Sequence, residues 1–270
     1  MSDPVRSLLD HKTSWILVFA HPGHELRAYH LLERVKPTVV VLTDGSGSTA
    51  DSRLEASRAL LTQAGAQLAT TFGAVTDREA YATLMAADAT PFLTQVHALA
   101  DILVTEGVRA VLVDAAEGYN PVHDVCHWIG RAATMRARQF GARIDLFELD
   151  LVSHPDSSGD GLRLELDDEA FARKLEATSR YAALEAEADA LFDRYGRDAF
   201  RVEFLRRVID DEPRQASWIP YYEEVGEARV RQGRYRSVLR YSSHVKPVID
   251  TILELAQPVP YATDLRTSHE

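Results

Sequence analysis

Short apolar runs alternate with amphipathic helical segments over the first 150 residues, and this alternation constrains the fold more than any other feature of the sequence. Residues 15–20 (WILVFA) are continuously apolar, as expected for a strand covered by helices on both faces of a sheet. Similar runs recur at 39–42, 108–113 and 144–149, a weaker one lies at 70–73, and helices are predicted between them at 25–35, 51–64, 81–105 and 122–140. The pattern predicts an α/β fold with an open, mostly parallel sheet. Ligands of such folds bind beyond the carboxyl ends of the strands.

The pattern changes in the C-terminal part of the chain. Residues 167–195 are charged and rich in alanine, and their apolar positions predict one long amphipathic helix. Beyond Phe200 the sequence is rich in Arg, Glu and Tyr. We therefore expect a core over residues 1–165 and a helical extension over 166–270 that packs on it, so that the 270 residues form a single structural domain.

Composition limits the partners of the protein and the kind of metal site it can build. The 41 acidic and 30 basic residues give a net charge of −11, which disfavours nucleic acid and anionic membranes. The chain has no apolar run long enough to span a bilayer, and its first residues do not resemble a targeting segment, so we expect a cytoplasmic location. We expect the substrate to be a small molecule. A homo-oligomer is compatible with the sequence. Cys126 is the only cysteine, so any metal must be bound by His, Asp or Glu.

Two pairs of histidines follow two of the predicted strands. His21 and His24 lie directly after the first strand, and His123 and His127 lie four residues apart at the start of a predicted helix. Three imidazoles with an open position suit a metal ion that activates water. Ten histidines will produce some close pairs by chance, but two pairs at two strand ends favour a metal site.

The same segments resemble the PIG-L or LmbE-like N-deacetylases. The hallmarks of that family are Ala-His-Pro-Asp-Asp-Glu after the first strand and His-Pro-Asp-His later in the chain. Here residues 20–25 read AHPGHE, residues 120–123 read NPVH, and 42–45 (LTDG) are similar to the family's second strand and loop. The resemblance covers roughly the first 150 residues. It implies a Rossmann-like core, one divalent metal ion that is usually zinc, and removal of an acetyl group from an N-acetylated sugar or related amine.

Carried over by position, the resemblance makes His21, His24 and His123 the metal ligands, with His24 in place of an aspartate. It leaves His127, one helical turn further on, as a neighbour of the metal ligands or a substrate contact. Zinc is the expected metal, and Fe²⁺ or another transition metal is also compatible with imidazole ligands.

Two positions depart from the family pattern. Gly23 stands where the family has the aspartate that acts as general base, and glycine cannot take a proton. Asn120 stands where the family has a histidine that stabilises the oxyanion, and an Asn amide can still donate a hydrogen bond to it. The substitute bases that we consider are the acidic residues at predicted strand ends and in the following loops, namely Glu25, Asp44, Glu117 and Asp124.

The substrate contacts that the sequence suggests come from two regions. Tyr119 and His127 lie beside the second histidine pair, and Tyr222, Arg240 and His244 belong to the segment after Phe200. The density of Arg and Tyr in that segment predicts that it closes over the site and holds a polar substrate. A packing extension or an oligomer contact is an equally good interpretation.

Three functions fit the sequence. The first is a metal-dependent hydrolase of an N-acyl small molecule. The second is a metalloenzyme of a biosynthetic pathway that catalyses cyclisation, elimination, rearrangement or a redox step, because the hydrolytic base is missing. The third is a catalytically impaired metal-binding module.

Overall fold

The apolar runs form the centre of one sheet. The computed structural model describes residues 6–10, 13–47, 51–69, 73, 75–156, 158–209 and 213–257. Within these ranges the sheet has seven strands: β1 (Trp15–Phe19), β2 (Thr38–Val41), β3 (Gln67–Leu68), β4 (Ala110–Asp114), β5 (Asp145–Leu149), β6 (Gly161–Glu165) and β7 (Val202–Arg207). Their order is β3-β2-β1-β4-β5-β7-β6. The first five strands in this order are parallel to one another, and β7 runs antiparallel to both of its neighbours, β5 and β6. The predicted open, mostly parallel sheet is confirmed.

Helices cover both faces of the sheet. Their bounds are α1 (Tyr29–Val35), α2 (Leu54–Ala64), α3 (Asp77–Met85), α4 (Thr90–Thr105), α5 (Pro121–Gln139), α6 (Asp168–Arg180), α7 (Glu185–Tyr195), α8 (Tyr221–Arg231) and α9 (Lys246–Ala256). Alternate residues of β1 point to opposite faces. Ile16 and Val18 pack with α4, α5 and α9, whereas Leu17 and Phe19 pack with α1, α2 and α6. The predicted α/β layering is confirmed.

Several helix boundaries differ from the predicted ones. The single helix predicted at 81–105 is two helices, α3 and α4, separated by a turn in which Ala87 has a positive φ of 50°. The single helix predicted at 167–195 is also two, and a 3₁₀ turn at Ala182–Leu184 joins α6 to α7. Apolar periodicity continues across such short turns, so it cannot locate them. Most of the predicted strand at 70–73 lies outside the described residues.

The part of the chain after residue 165 is not entirely helical. It contributes α6 to α9 as expected, but it also contains β7, which pairs with β5 on one side and with β6 on the other. The division at residue 165 stays a prediction. Within the described ranges no helix is both long and apolar enough to cross a membrane.

The parallel strands end at one edge of the sheet, and polar residues lie at or just after their ends. His21 follows β1, Thr43 follows β2, and Asp114 is the last residue of β4. All three side chains are buried. This edge is where a ligand site is expected in an open parallel sheet.

Candidate metal site

Three imidazole rings meet at this edge. His21 and His24 come from the loop after β1, and His123 comes from the first turn of α5. The ring centroids are 5.3 Å apart for His21 and His24, 5.0 Å for His21 and His123, and 4.5 Å for His24 and His123. Three imidazoles bound tetrahedrally to one zinc ion would have centroids about 5 Å apart, because Zn–N bonds are about 2.0–2.1 Å long.

Carboxylates orient two of the three rings. His21 Nδ1 lies 2.9 Å from Asp77 Oδ1 and 2.7 Å from Thr43 Oγ1. His24 Nδ1 lies 2.8 Å from Asp114 Oδ2. A ring whose Nδ1–H donates to a carboxylate keeps the lone pair of Nε2 for a metal ion, as histidine ligands of metals commonly do. His21 Nε2 is buried and has no hydrogen-bond partner among the described atoms.

The electrostatics of the cluster favour the neutral form of two of the imidazoles, those of His24 and His123. Burial and the neighbouring His21 ring hold the pKa of His24 well below its usual range. Burial and the His24 ring do the same to the pKa of His123. Burial also raises the pKa of Asp114 to about 7. Neutral imidazoles are the form in which histidine binds a metal ion.

The ring nitrogens do not form a completed ligand set in this arrangement. Among the residues that the structure describes, no three His, Cys, Asp or Glu side chains are placed to hold a metal ion. The ring centroids are nevertheless as close together as those of three ligands of one ion would be. The imidazole donors themselves are of the type that binds zinc and other transition metals. His123 makes no hydrogen bond through its ring within the described part of the chain, so its ring is the least constrained of the three.

A cavity of about 690 Å³ opens in front of the three rings. Its polar lining includes the three histidines together with Asp77, Asn120 and Arg53. The opposite wall is mostly apolar and comes largely from α6, α7 and the residues around them: Leu175, Leu184, Ala190, Leu191, Phe192 and Phe200. The cavity therefore joins a polar floor to an apolar wall.

The α6–α7 turn explains why glycine occupies position 23. Gly23 has a φ of +107°, a backbone conformation that residues with a Cβ atom rarely adopt. A Cβ atom added there would lie 2.0 Å from Leu184 Cδ1 and 3.6 Å from Tyr181 Cζ. The space that an aspartate side chain would need at this position is filled by Leu184.

Two of the predicted bases lie in buried or turn-forming positions. Glu25 is fully buried, and its carboxylate accepts hydrogen bonds from the Gly23 backbone N–H and the Ser57 hydroxyl. Burial raises the pKa of Glu25. Asp44 Oδ1 accepts hydrogen bonds from the backbone N–H and the hydroxyl of Ser46. Both carboxylates shape loops, and neither lines the described wall of the cavity.

The other two predicted bases also point elsewhere. Glu117 accepts three backbone N–H bonds from residues 151–153, at 2.7–3.0 Å. Asp124 accepts a hydrogen bond from the Gly118 N–H at 3.0 Å and lines a different cavity of about 570 Å³. Burial raises the pKa of Asp124 to about 7. Adjacent positions on a helix point in different directions, which separates Asp124 from His123.

One predicted oxyanion donor and one predicted substrate contact lie at the cavity. Asn120 and Tyr119 both line it. The Asn120 side chain also caps α5, because its Oδ1 accepts a hydrogen bond from Val122 N–H at 2.8 Å. His127 is fully buried behind the cluster, with Nδ1 3.2 Å from Glu148 Oε2.

The residues predicted from the C-terminal segment do not line this cavity. Tyr222 lines a neighbouring groove. Arg240 donates to Glu223 and Glu227, and His244 Nδ1 accepts the Arg240 backbone N–H at 2.8 Å. The described wall is largely formed by α6 and α7 and contains no described residue after Phe200, and closure by the segment after Phe200 stays a prediction. The sequence predicts the apolar residues of α7 as one face of an amphipathic helix, and the structure places several of them on the wall of the cavity.

Sequence reasoning missed three acidic residues at the site. Asp114 ends an apolar run, which is a recognisable signal for a residue at the carboxyl edge of a strand. Asp77 begins α3 in a capping box formed by Thr76 and Glu79, and nothing local distinguishes it from an ordinary first-turn acid. Glu187, on α7, lines the cavity, and its position depends on the packing of that helix.

Comparisons with known proteins give the fold. No family model matches the chain, and no curated protein matches it in sequence. The conserved protein TT1542 from Thermus thermophilus is 16% identical with a TM-score of 0.50, and the match covers 75% of this chain and 97% of that one. A deacetylase in complex with teicoplanin, from the teicoplanin biosynthesis pathway, is 13% identical with a TM-score of 0.50, over 73% of this chain and 100% of that one. At such identities the likeness shows a shared α/β fold.

Proposed function

We propose that the protein is a metal-dependent hydrolase of the PIG-L or LmbE type that cleaves the amide bond of an N-acyl small molecule, such as an N-acetyl sugar or a related amine. The observation that carries the proposal is the group of three imidazoles that meet beyond the ends of β1 and β4, two of them held by carboxylates through Nδ1. Carboxylate–histidine pairs of this kind are typical of metal ligands.

His21, His24 and His123 would hold the metal ion, and their imidazole donors are of the type that suits it. The unpartnered, buried Nε2 of His21 is a donor atom without another role. A divalent ion such as zinc would supply Lewis acidity that activates water and polarises an acyl carbonyl. Fe²⁺ and other transition metals suit the same imidazole donors.

In this proposal Asn120 stabilises the charge on the acyl oxygen, and Glu187 takes the proton from water. The Oδ1 atom of Asn120 is engaged by the Val122 N–H, so its amide nitrogen is the atom that can donate to an acyl oxygen as negative charge develops there. Apart from Asp77, which is held by His21, Glu187 is the only carboxylate on the described wall of the cavity. We assign it the role of general base in place of the aspartate that Gly23 excludes.

The apolar wall indicates where the acyl group binds. Leu175, Leu191 and Phe192 face the cavity from α6 and α7. Each buried methylene of a ligand contributes about 0.8 kcal/mol to binding. An acyl chain longer than acetyl would gain from this wall, while the amide carbonyl lies against the histidines.

Metal content and amine release test the proposal together. We expect about one metal ion per chain after loading with Zn²⁺, and loss of metal when His21, His24 or His123 is replaced by alanine. His97→Ala is the matched control, because His97 is exposed on α4. Release of free amine from N-acetylglucosamine or N-octanoylglucosamine should follow metal content. Full metal occupancy in all three histidine variants would contradict the ligand assignment.

A second candidate is a metalloenzyme that does not hydrolyse its substrate. The observation in its favour is that Glu25, Asp44, Glu117 and Asp124 are all absent from the described cavity wall. Bound metal without amine release from any amide of the panel would support cyclisation, elimination, rearrangement or redox chemistry. Absence of both metal and turnover would leave a binding module.

A further inference from the structure

Four tyrosines lie exposed around one groove beside the histidine cavity. Tyr81, Tyr119, Tyr221 and Tyr235 expose 37%, 49%, 53% and 47% of their surface. All four line a groove of about 560 Å³. Large aromatic side chains that stay exposed together on one surface are typical of ligand or partner sites.

The groove offers flat faces for a ring. Tyr119 and Tyr221 are stacked, with ring centroids 5.4 Å apart and planes 13° from parallel. The Arg229 guanidinium lies 5.2 Å from the centroid of the Tyr235 ring and donates to its hydroxyl at 2.7 Å. These contacts hold the rings in place, so a ligand would meet a preformed aromatic surface.

The groove also has an unused polar atom. Tyr222 is buried, with 9% of its surface exposed, and lines the groove. Its hydroxyl has no hydrogen-bond partner within the described part of the chain. A buried hydroxyl without a partner is costly, which indicates that a ligand atom or a water molecule completes it.

The charge of the groove is opposite to that of the whole protein. Arg229, Arg234 and Arg236 line it, and the residues that the structure describes there include no Asp or Glu. The chain as a whole carries a net charge of −11. A local cluster of arginines in an acidic protein selects an anionic ligand, because guanidinium groups bind phosphate and carboxylate in a defined geometry.

The groove and the histidine cavity share two residues. Tyr81 and Tyr119 line both. Tyr81 lies one helical turn after Asp77 on α3, so the helix that orients His21 also presents Tyr81 to the groove. One elongated ligand can therefore occupy both spaces.

We propose that this tyrosine groove, formed by Tyr81, Tyr119, Tyr221, Tyr222 and Tyr235 with its three arginines, binds a ring that carries an anionic group. In the reaction the ring would be the amine portion of the substrate, and only this assignment rests on the proposed function. Binding of the ring itself does not require the metal or hydrolysis.

Calorimetric titration of the metal-free protein tests the proposal. The probes are phenyl phosphate and glucose 6-phosphate, compared with phenol, glucose and inorganic phosphate. We expect either phenyl phosphate or glucose 6-phosphate to bind at least about tenfold more tightly than the corresponding uncharged ring, phenol or glucose, and than inorganic phosphate. Which of the two binds distinguishes an aromatic from a sugar ring. If neither exceeds inorganic phosphate, the proposal is overturned.

Variants locate the binding. Tyr221→Ala and Arg229→Gln should each weaken the binding at least about tenfold. Phe140→Ala removes an aromatic residue with 70% exposure outside the groove, and it should leave binding unchanged. His21→Ala should also leave it unchanged while abolishing metal-dependent turnover, so failure of the proposed function is distinguishable from failure of the groove. Wild-type affinity in folded Tyr221→Ala would overturn the proposal.

Discussion

Replacing Gly23 by aspartate restores the residue of the resembling family, yet the structure predicts that this change destabilises the protein. The φ of Gly23 is +107°, and a Cβ atom there would lie 2.0 Å from Leu184 Cδ1 and 3.2 Å from Leu184 Cγ. A non-glycine residue at such a φ costs about 1–2 kcal/mol. Overpacking a filled site costs about 1–3 kcal/mol more. The free energy of unfolding should therefore fall by about 2–5 kcal/mol.

Two further variants separate the two costs. Gly141 has a φ of +87° and nothing within 4 Å of its hypothetical Cβ atom, so Gly141→Asp should show only the backbone cost of about 1–2 kcal/mol. Leu184→Ala should relieve the clash. In a double-mutant cycle of Gly23→Asp with Leu184→Ala, we expect a favourable coupling of about 1–3 kcal/mol.

Urea denaturation followed by tryptophan fluorescence measures these differences. If Gly23→Asp unfolds at the same urea concentration as Gly141→Asp, the steric conflict with Leu184 does not exist and the reasoning is refuted. The result also bears on catalysis. An aspartate at position 23 tests for a missing base only in the Leu184→Ala background, where its side chain has room.

Further predictions concern the site and its support. Asp77→Asn should weaken Zn²⁺ affinity about 10–100-fold in a chelator competition assay, because His21 loses the carboxylate that orients it; unchanged affinity would mean that this contact does not support ligation. Glu187→Gln should lower kcat about 10²–10⁴-fold with little change in KM, and wild-type kcat would exclude it as the base. The ratio of kcat/KM values should favour N-octanoyl over N-acetyl amines if the apolar wall binds the acyl chain, and a preference for acetyl would contradict this. Lys174→Met should cost about 3–5 kcal/mol in urea denaturation, because it leaves the buried Glu203 carboxylate without its 2.8 Å ion pair; a loss under about 1 kcal/mol would show that the pair is dispensable.

The sequence by itself determined the parallel sheet and the residues that meet at its edge. Continuous apolar runs are a local signal for buried parallel strands, and the carboxyl ends of such strands share one edge. For that reason the histidines after β1 and β4 could be expected together, although they are about 100 residues apart in the sequence. Asp114, the last residue of β4, lies at the same edge and could have been found by the same rule.

Only the tertiary structure decided which side chains face the site. Glu25, Asp44, Glu117 and Asp124 are all near strand ends, but the carboxylate of each is taken up by backbone or hydroxyl donors, which for Glu117 come from the loop after β5. The direction of a side chain depends on these contacts and not on its position in the sequence. The same holds for the apolar wall. The turn after α6 directs α7 over the cavity, whereas apolar periodicity in the sequence predicts an apolar helix face without showing what that face packs against. Gly23 is the clearest case: its lack of a side chain is visible in the sequence, but Leu184, 161 residues further along the chain, is what fills the space.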